Sequence, residues 1–227
     1  MTLNSMVCEV SGAGNAFLLA WGEKRPEELY GPDGLIWLRP DFSMRFYNPD
    51  GGEAALCGNG VRCAARFLME VLGKKPPFVI TSACGAHEIR FENGLIGVQM
   101  PKAKPFERVT LEGVNFFITE VGVPHAYHVV DSVEGFDLDA FGCRFVSHPY
   151  FSKGSNINIV EIGEHLRLRT FERGVNRETK ACGTGAIGAA ALGQRRVVEA
   201  PGGTLEVHGD FLFGPTQIGL PDKLNIC

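Results

Sequence analysis

The sequence predicts an α+β fold made of two similar halves, each with a sheet around one buried helix. Short strand-like runs are frequent, only two stretches have a clear helical pattern, and one ten-residue segment recurs at an offset of 125 residues. Because this offset is close to half of the 227 residues, we expect two domains, 1–107 and 108–227. The boundary is predicted near Pro101–Gly113, and the last segment of the chain is expected to pack back on the first domain.

Strands are indicated by ten short runs that are apolar or alternating and are bounded by Gly, Pro, Asn or Asp. These runs are Val7–Val10, Leu35–Leu38, Met44–Tyr47, Phe78–Thr81, His87–Phe91, Ile96–Met100, Val114–Val121, Tyr127–Val130, Ile157–Ile162 and Leu166–Phe171. The pair Asn93-Gly94 tolerates the positive φ angles of a two-residue turn and therefore predicts a hairpin between His87 and Met100.

Two helices are predicted from the spacing of apolar residues. In Gly60–Leu72 the apolar side chains recur at i, i+3, i+4 and i+7, and Gly73 closes the helix at its C-terminal end. The second stretch, Gly185–Leu192, is apolar on every side and is closed by Gly193. A helix that is apolar all round is buried, so we expect a sheet wrapped around it.

The two helices begin at matching turns. The segments Leu56–Ala65 and Ala181–Ala190 share one Cys, two Gly and two Ala at the same positions, so that Cys57-Gly-x-Gly matches Cys182-Gly-x-Gly. We read the other cysteines as bystanders: Cys8, Cys84 and Cys143 as small buried residues, Cys63 as part of the helix core, and Cys227 as an uninformative terminal residue.

Composition and charge exclude several functional classes. The net charge is −4, with no run of like charges, so the basic footprint of a nucleic-acid or anionic-membrane binder is absent. Apolar runs are too short to span a bilayer, and the sequence does not begin like a signal peptide. No cysteine or histidine spacing fits a zinc site. We therefore expect a cytoplasmic protein with reduced thiols and no metal.

A cysteine at the start of a helix lies at the positive end of the helix dipole, where thiol pKa values fall toward neutrality. The first-turn N–H groups beside it suit a carboxylate. If two such turns face one substrate, one thiolate can remove an α-proton while the other thiol returns a proton from the opposite side. This chemistry inverts a stereocentre without a cofactor.

The chain resembles the diaminopimelate epimerase family, which are two-cysteine amino-acid epimerases that use no cofactor. The resemblance rests on four blocks that span nearly the whole chain: Gly12–Phe17, Asn48–Cys63, Pro124-His125 and Glu172–Ala186. It implies two pseudo-symmetric domains, each a curved and mostly antiparallel sheet around a central helix, with the active site in the cleft between the domains. It also implies a homodimer, and a place in the supply of lysine and peptidoglycan precursors.

The resemblance further implies a role for each matching residue. Cys57 and Cys182 would be the acid and base, and His125 and Glu172 would tune the thiols. The N–H groups of Gly58, Asn59, Gly183 and Thr184 would hold the reacting carboxylate. The far end of the substrate would be held by Asn15, Asn48, Asn156, Glu172 and Arg173.

Several positions depart from the family pattern. Ala16 stands where the family usually has Asp, Gly34 where a polar contact is usual, and Val123 where an Asn usually precedes Pro-His. Asn176-Arg177 replaces a single Gly. Loss of polar contacts relaxes selectivity. The leading interpretation is therefore interconversion of L,L- and meso-diaminopimelate. The alternatives are a racemase of glutamate or aspartate, an enzyme of broad specificity, and a binding or structural protein on the same fold.

Overall fold

The structure is a computed structural model that describes residues 5–27, 31–54, 56–220 and 222–223. The described elements follow in chain order: β1 (Met6–Gly12), β2 (Asn15–Trp21), β3 (Leu35–Leu38), β4 (Met44–Tyr47), β5 (Glu53–Ala54), α1 (Gly58–Glu70), β6 (Phe78–Ser82), β7 (Gly85–Glu92), β8 (Leu95–Gln99), β9 (Glu107–Leu111), β10 (Val114–Glu120), β11 (Pro124–Val130), α2 (Leu138–Phe145), β12 (Asn156–Ile162), β13 (Leu166–Glu172), β14 (Arg177–Thr179), α3 (Gly183–Gly193), β15 (Val197–Ala200), β16 (Gly203–His208), β17 (Phe211–Gly214), β18 (Thr216–Ile218) and β19 (Asp222–Lys223). The chain folds as two compact units, which we call the first unit (Met1–Gln99 with Phe213–Cys227) and the second unit (Met100–Leu212).

In the first unit, α1 packs against strands of a mostly antiparallel sheet with the order β18-β1-β2-β3-β4-β5. Among the described strands of this sheet, only β2 and β3 pair in parallel, and β19 pairs with β1. A three-stranded meander, β6-β7-β8, follows α1 in the chain, and its strand β8 packs against the helix. The inward side of α1 carries fully buried apolar residues such as Val61, Ala64 and Leu68, so burial of this apolar stripe drives the helix onto the sheet.

In the second unit, α3 lies against β11, β12, β13, β15 and β16. The strands follow the order β16-β15-β13-β12-β11-β10-β9, with β14 paired to β13, and only β11–β12 and β13–β15 are parallel pairs. The core beneath α2 is aromatic and contains the buried rings of Phe116, Phe145 and Phe171. The small residues of α3 let the strands approach closely. A Cβ at Gly188 would lie 2.0 Å from the hydroxyl of Tyr127.

The predicted α+β class is confirmed, since strands predominate and two helices each lie against a mostly antiparallel sheet. All ten predicted strands are present, and the hairpin turns at Asn93 (φ 50°) and Gly94 (φ 81°) as expected. The structure adds nine further strands among the described residues, several of them only two to four residues long. Such short pairings depend on partners distant in sequence and leave little local pattern.

Helix ends differ from the sequence expectation. α1 begins at Gly58 and ends at Glu70, and Gly73 (φ 67°) completes the turn through a bond from Lys74 N–H to the Leu68 carbonyl. α3 continues through Gly193, so Gly193 does not close it. The left-handed residue is Gln194 (φ 52°). Gly193 instead makes room for the side chain of Leu166, which would lie 2.9 Å from a Cβ at this position.

The helix α2 was not predicted, and two cysteine predictions were wrong. Asp137 caps α2 by accepting a hydrogen bond from Ala140 N–H at 3.1 Å. Cys143 is exposed on this helix, and Cys84 is exposed in the turn between β6 and β7. Cys8 and Cys63 are buried as expected, and Cys227 lies outside the described residues. In the described parts of the chain, no helix is long and apolar enough to cross a membrane.

Candidate active site

The first unit presents Cys57 as the N-cap of α1. Its backbone is extended (φ −129°, ψ 98°), and its Sγ accepts a hydrogen bond from Gly60 N–H at 3.3 Å. The glycines of the Cys-Gly-Asn-Gly turn allow this tight approach, since a Cβ at Gly60 would lie 3.3 Å from the sulfur. Because the N–H groups of a first helical turn have no partner within the helix, the thiol lies beside several donors.

The side chain of Asn59 is held from within the same helix. Asn59 is buried, and its Oδ1 accepts a hydrogen bond from Nη2 of Arg62 one turn later. Arg62 is completely buried, and its burial lowers the pKa of the guanidinium to about 10, so it remains a cation at neutral pH. The nearby thiols of Cys63 and Cys57 partly offset this effect.

The other predicted site residues of the first unit lie at strand ends. Asn15 is buried at the start of β2, opposite Gly12 across the β1–β2 hairpin. A Cβ at Gly12 would lie 3.1 Å from the Asn59 carbonyl, so this hairpin reaches the first turn of α1. Asn48 follows β4 and is half-buried, and its backbone N–H donates to the Gly52 carbonyl at 2.8 Å.

The second unit presents Cys182 as the N-cap of α3, and no hydrogen bond from the helix caps its sulfur. The Sγ lies 3.5 Å from the Thr184 hydroxyl, and either atom can donate. The same hydroxyl lies 2.9 Å from Nε2 of His125. A chain of contacts therefore runs from the thiol through a hydroxyl to an imidazole, and rotation of the hydroxyl lets it donate to either end.

His125 is completely buried, and burial lowers its pKa to about 3, so the imidazole is neutral at physiological pH. Asn158 partly offsets this effect by a contact between its Nδ2 and His125 Nδ1 at 3.2 Å, while the charge of Arg173 adds to it. The amide of Asn158 is fixed in turn, because its Oδ1 accepts from Thr170 Oγ1 at 2.9 Å. Tyr127 stacks on the imidazole.

The remaining predicted residues lie on the neighbouring strands. Asn156 contacts both His125 and Arg173. Its Nδ2 lies 3.3 Å from His125 Nε2, and its Oδ1 accepts a hydrogen bond from Arg173 N–H at 2.9 Å. The guanidinium of Arg173 donates to the Lys153 carbonyl at 2.6 Å. Glu172 accepts a hydrogen bond from the Thr179 hydroxyl, also at 2.6 Å.

The structure thus joins Cys182, Thr184, His125, Asn156 and Arg173 in one set of contacts within the second unit. In the first unit it places Gly58 and Asn59 directly after Cys57 at the helix start. Each group comes together inside its own unit, from residues that the sequence resemblance selected individually.

Four residues were missed by sequence reasoning: Arg62, Tyr127, Asn158 and Thr170. Two of them carried a usable signal. Asn158 alternates with Asn156 in a strand whose other buried residues are apolar, which indicates a polar network inside the core. In the internal match of the two halves, Arg62 falls at the position of Ile187, so a charge stands where the second helix has a core residue.

Two of the departures from the family pattern, Gly34 and Asn176, have structural explanations. Gly34 has φ 134°, and a Cβ there would lie 2.5 Å from the Tyr47 carbonyl, so this position excludes any side chain. Its neighbour Asp33 accepts a hydrogen bond from Ala16 N–H at 2.8 Å. Asn176 takes the left-handed conformation (φ 55°) that a glycine would otherwise supply. Among the described residues, no group of His, Cys, Asp or Glu could hold a metal ion.

Comparison with known proteins points to one family. A family model described as diaminopimelate epimerase matches residues 27–104 and 117–210. Among curated proteins, a diaminopimelate epimerase from Acinetobacter baylyi is 38% identical over 235 aligned residues, covering 86% of this chain and 83% of the relative. One from Synechococcus sp. (strain JA-3-3Ab) is 35% identical over 254 aligned residues and covers 88% of each chain.

Solved structures share the fold at much lower identity. A phenazine biosynthesis protein of the PhzF family from Enterococcus faecalis superposes with a TM-score of 0.73 at 14% identity, covering 99% of this chain and 100% of that one. A protein described as a proline racemase from Agrobacterium radiobacter K84 gives a TM-score of 0.64 at 15% identity, covering 97% and 91%. At such identities the likeness concerns the fold alone.

Proposed function

Because the chain belongs to the diaminopimelate epimerase family, we propose that it interconverts L,L- and meso-diaminopimelate, with Cys57 and Cys182 exchanging the α-proton. The observation that carries this proposal is the matching position of the two cysteines. Each is the N-cap of a helix opened by Cys-Gly-x-Gly. A thiol in this position has helix donors beside it, which stabilise its thiolate and suit a carboxylate nearby.

The proposed reaction transfers one proton out and one proton in. One thiolate takes the α-proton, and the electron pair left on the α-carbon is delocalised into the adjacent carboxylate. The N–H groups of Gly58, Asn59, Gly183 and Thr184 donate to that carboxylate and stabilise the added charge. The thiol of the other cysteine then gives its proton to the opposite face, so the stereocentre inverts and the two sulfurs end with their protonation states exchanged.

The contacts around Cys182 support a role in both directions. When Cys182 is a thiol, it can donate to the Thr184 hydroxyl, whose other contact is Nε2 of His125. When Cys182 is a thiolate, the hydroxyl can rotate and donate to the sulfur. Because His125 is neutral, the imidazole itself adds no full charge to this set of contacts. We assign His125 and Glu172 to the tuning of the thiols.

Recognition of the far end of the substrate is assigned to Asn15, Asn48, Asn156, Glu172 and Arg173. A second carboxylate can accept two parallel hydrogen bonds from the Arg173 guanidinium, and the ammonium group can donate to amide and carboxylate oxygens. We place the reaction in the supply of lysine and peptidoglycan precursors, in a cytoplasmic homodimer that needs no cofactor.

Deuterium exchange tests the proposal directly. The purified protein is incubated in D₂O with L,L-diaminopimelate, L-glutamate, L-aspartate or L-proline, without pyridoxal phosphate, and loss of the α-proton signal is followed by NMR. We expect the fastest exchange with diaminopimelate. Faster exchange with glutamate or aspartate would instead identify a single-amino-acid racemase, and no exchange with any substrate would indicate a binding protein.

Serine variants test the roles of the two thiols. C57S and C182S should each lower the exchange rate by several orders of magnitude, because a serine hydroxyl is far less acidic than a thiol. Matched controls come from the same chemical change at the exposed residues Cys84 and Cys143, where serine should leave the rate unchanged. A C57A enzyme with undiminished exchange would refute the two-thiol mechanism.

A further inference from the structure

Arg62 is the most unusual side chain of the first unit. It lies in the second turn of α1 with none of its surface exposed, and its Nη2 donates to Asn59 Oδ1. Among the described residues, neither its Nε nor its Nη1 has a hydrogen-bond partner. A buried guanidinium with unpaired donors is costly, so its presence calls for an anion that offsets the cost.

The surroundings of Arg62 leave few groups that could carry this negative charge. The strands packed on α1 present apolar residues inward, with Met44 and Phe46 on β4 next to the start of the helix. The titratable groups that interact electrostatically with Arg62 are the thiols of Cys63 and Cys57, and Cys63 interacts in turn with Cys8 on β1 and with Arg66. Burial raises the pKa of Cys8 to about 12 and that of Cys63 further, so both stay neutral.

Cys57 is the remaining thiol that interacts electrostatically with Arg62. It is only partly buried, and it accepts a hydrogen bond from Gly60 N–H. A thiolate at this position would interact favourably with the helix dipole and the buried cation together. A substrate carboxylate bound at the same turn would be stabilised by the same helix dipole and the same buried cation.

The second unit offers an instructive contrast. Asn59 and Thr184 occupy equivalent positions in the two Cys-Gly-x-Gly turns. A buried basic residue contacts the side chain at this position in each unit, Arg62 in the first and His125 in the second. The first of these is charged at neutral pH and the second is neutral. The two turns therefore match in sequence but differ in electrostatic surroundings.

We propose that Arg62 is a positioning residue that keeps Cys57 as the thiolate in the substrate-free protein, while Cys182 remains a thiol. By occupying Asn59 Oδ1, Arg62 also fixes the side-chain amide of Asn59 beside the carboxylate site. The catalytic consequence rests on the proposed function. The substrate-free protein can deprotonate the isomer whose α-proton faces Cys57. Reaction of the other isomer requires Cys57 as the thiol and Cys182 as the thiolate.

Alkylation by iodoacetamide tests this assignment, since the thiolate is the reacting form. The rate at each cysteine is followed by peptide mass mapping between pH 5 and 10. In the wild-type protein, the half-maximal rate of Cys57 should fall at least one pH unit below that of Cys182. In R62Q, alkylation of Cys57 at pH 6 should slow at least ten-fold, whereas the profile of Cys182 should not move. R62K, which keeps the positive charge, should restore part of the Cys57 alkylation rate that R62Q loses.

R66Q is the matched control, because Arg66 lies one turn later on α1 and pairs with Glu70 at 2.8 Å. It should leave both profiles unchanged. The proposal is overturned if R62Q leaves the Cys57 profile in place, if R66Q shifts it equally, or if Cys182 ionises first in the wild-type protein. This last comparison needs no variant, so it can overturn the proposal even if R62Q does not fold.

The alkylation experiment uses no substrate and can therefore fail separately from the proposed function. Deuterium exchange with diaminopimelate but no dependence of Cys57 on Arg62 would refute the positioning role alone. The expected alkylation profiles without exchange in any amino acid would uphold the charge assignment and refute the epimerase.

Discussion

Replacement of Arg62 by methionine should stabilise the protein while it impairs catalysis. Methionine has a similar length and fills the same buried space, but it carries no charge and no hydrogen-bond donors. Replacing a buried ionic group with an apolar residue of similar volume is often neutral or stabilising. A residue retained only for stability would behave in the opposite way.

The magnitude follows from the electrostatics of the site. Burial lowers the pKa of Arg62 from 12.5 to about 10. At about 1.4 kcal/mol per pKa unit, the charged form costs the folded state about 3 kcal/mol. For a base with a depressed pKa, this cost is present in full below pH 10 and is relieved only as the pH rises from 10 toward 12.5. The variant also loses the hydrogen bond to Asn59, which destabilises it by roughly 1–2 kcal/mol and offsets part of the gain.

We therefore expect R62M to gain about 1–2 kcal/mol at pH 7, which corresponds to a rise in melting temperature of roughly 2–8 °C for a chain of this size. Calorimetry measures the shift, and deuterium exchange measures the loss of activity. R66M on the same helix should show no gain, because it loses the Thr216 and Glu70 contacts without relieving a buried charge. A melting temperature of R62M more than about 4 °C below that of the wild-type protein would show that the buried charge does not destabilise the folded state.

Three further outcomes are expected in the second unit. T184V removes the hydroxyl between thiol and imidazole and should lower the exchange rate by roughly 10- to 100-fold with little change in KM, whereas an unchanged rate would exclude the hydroxyl from the chemistry. N158D places a carboxylate beside His125 and should raise its pKa from about 3 toward or above the ordinary value of 6.5, which an NMR titration of the imidazole would reveal as a new transition above pH 5. G188A adds a methyl group 2.0 Å from the tyrosine hydroxyl beneath the imidazole and should cost about 1–3 kcal/mol in the free energy of unfolding. G163A, where the nearest atom is 3.8 Å away, should be tolerated, and equal losses in the two variants would contradict the packing argument.

Local rules account for what the sequence predicted well. The hairpin at Asn93-Gly94 needs only two residues that tolerate positive φ, and the start of each main helix follows from a Cys-Gly-x-Gly turn before a run of small or apolar residues. The apolar stripe of α1 repeats at helical spacing, so its burial could be predicted without knowledge of the sheet that covers it.

Predictions that needed a distant partner were less successful. Cys84 and Cys143 were expected inside because cysteine is commonly buried, but Cys84 is exposed in the turn between β6 and β7, and Cys143 lies on the exposed side of α2. Gln194 rather than a glycine takes the left-handed conformation after α3, because the helix continues by one more residue than its apolar pattern suggests.

The chemical groups of the candidate site could be predicted from the sequence alone: two cysteines at matching helix starts, with donors beside them and with the residues that the family resemblance implies. The electrostatic surroundings of each thiol, in contrast, depend on the tertiary structure. His125 meets Thr184 from 59 positions away, and Arg62 is buried because strands β1, β2, β4, β8 and β18 close around α1. Burial changes the charge of a titratable group only through the atoms that exclude water from it, and these atoms come from segments far apart in the sequence.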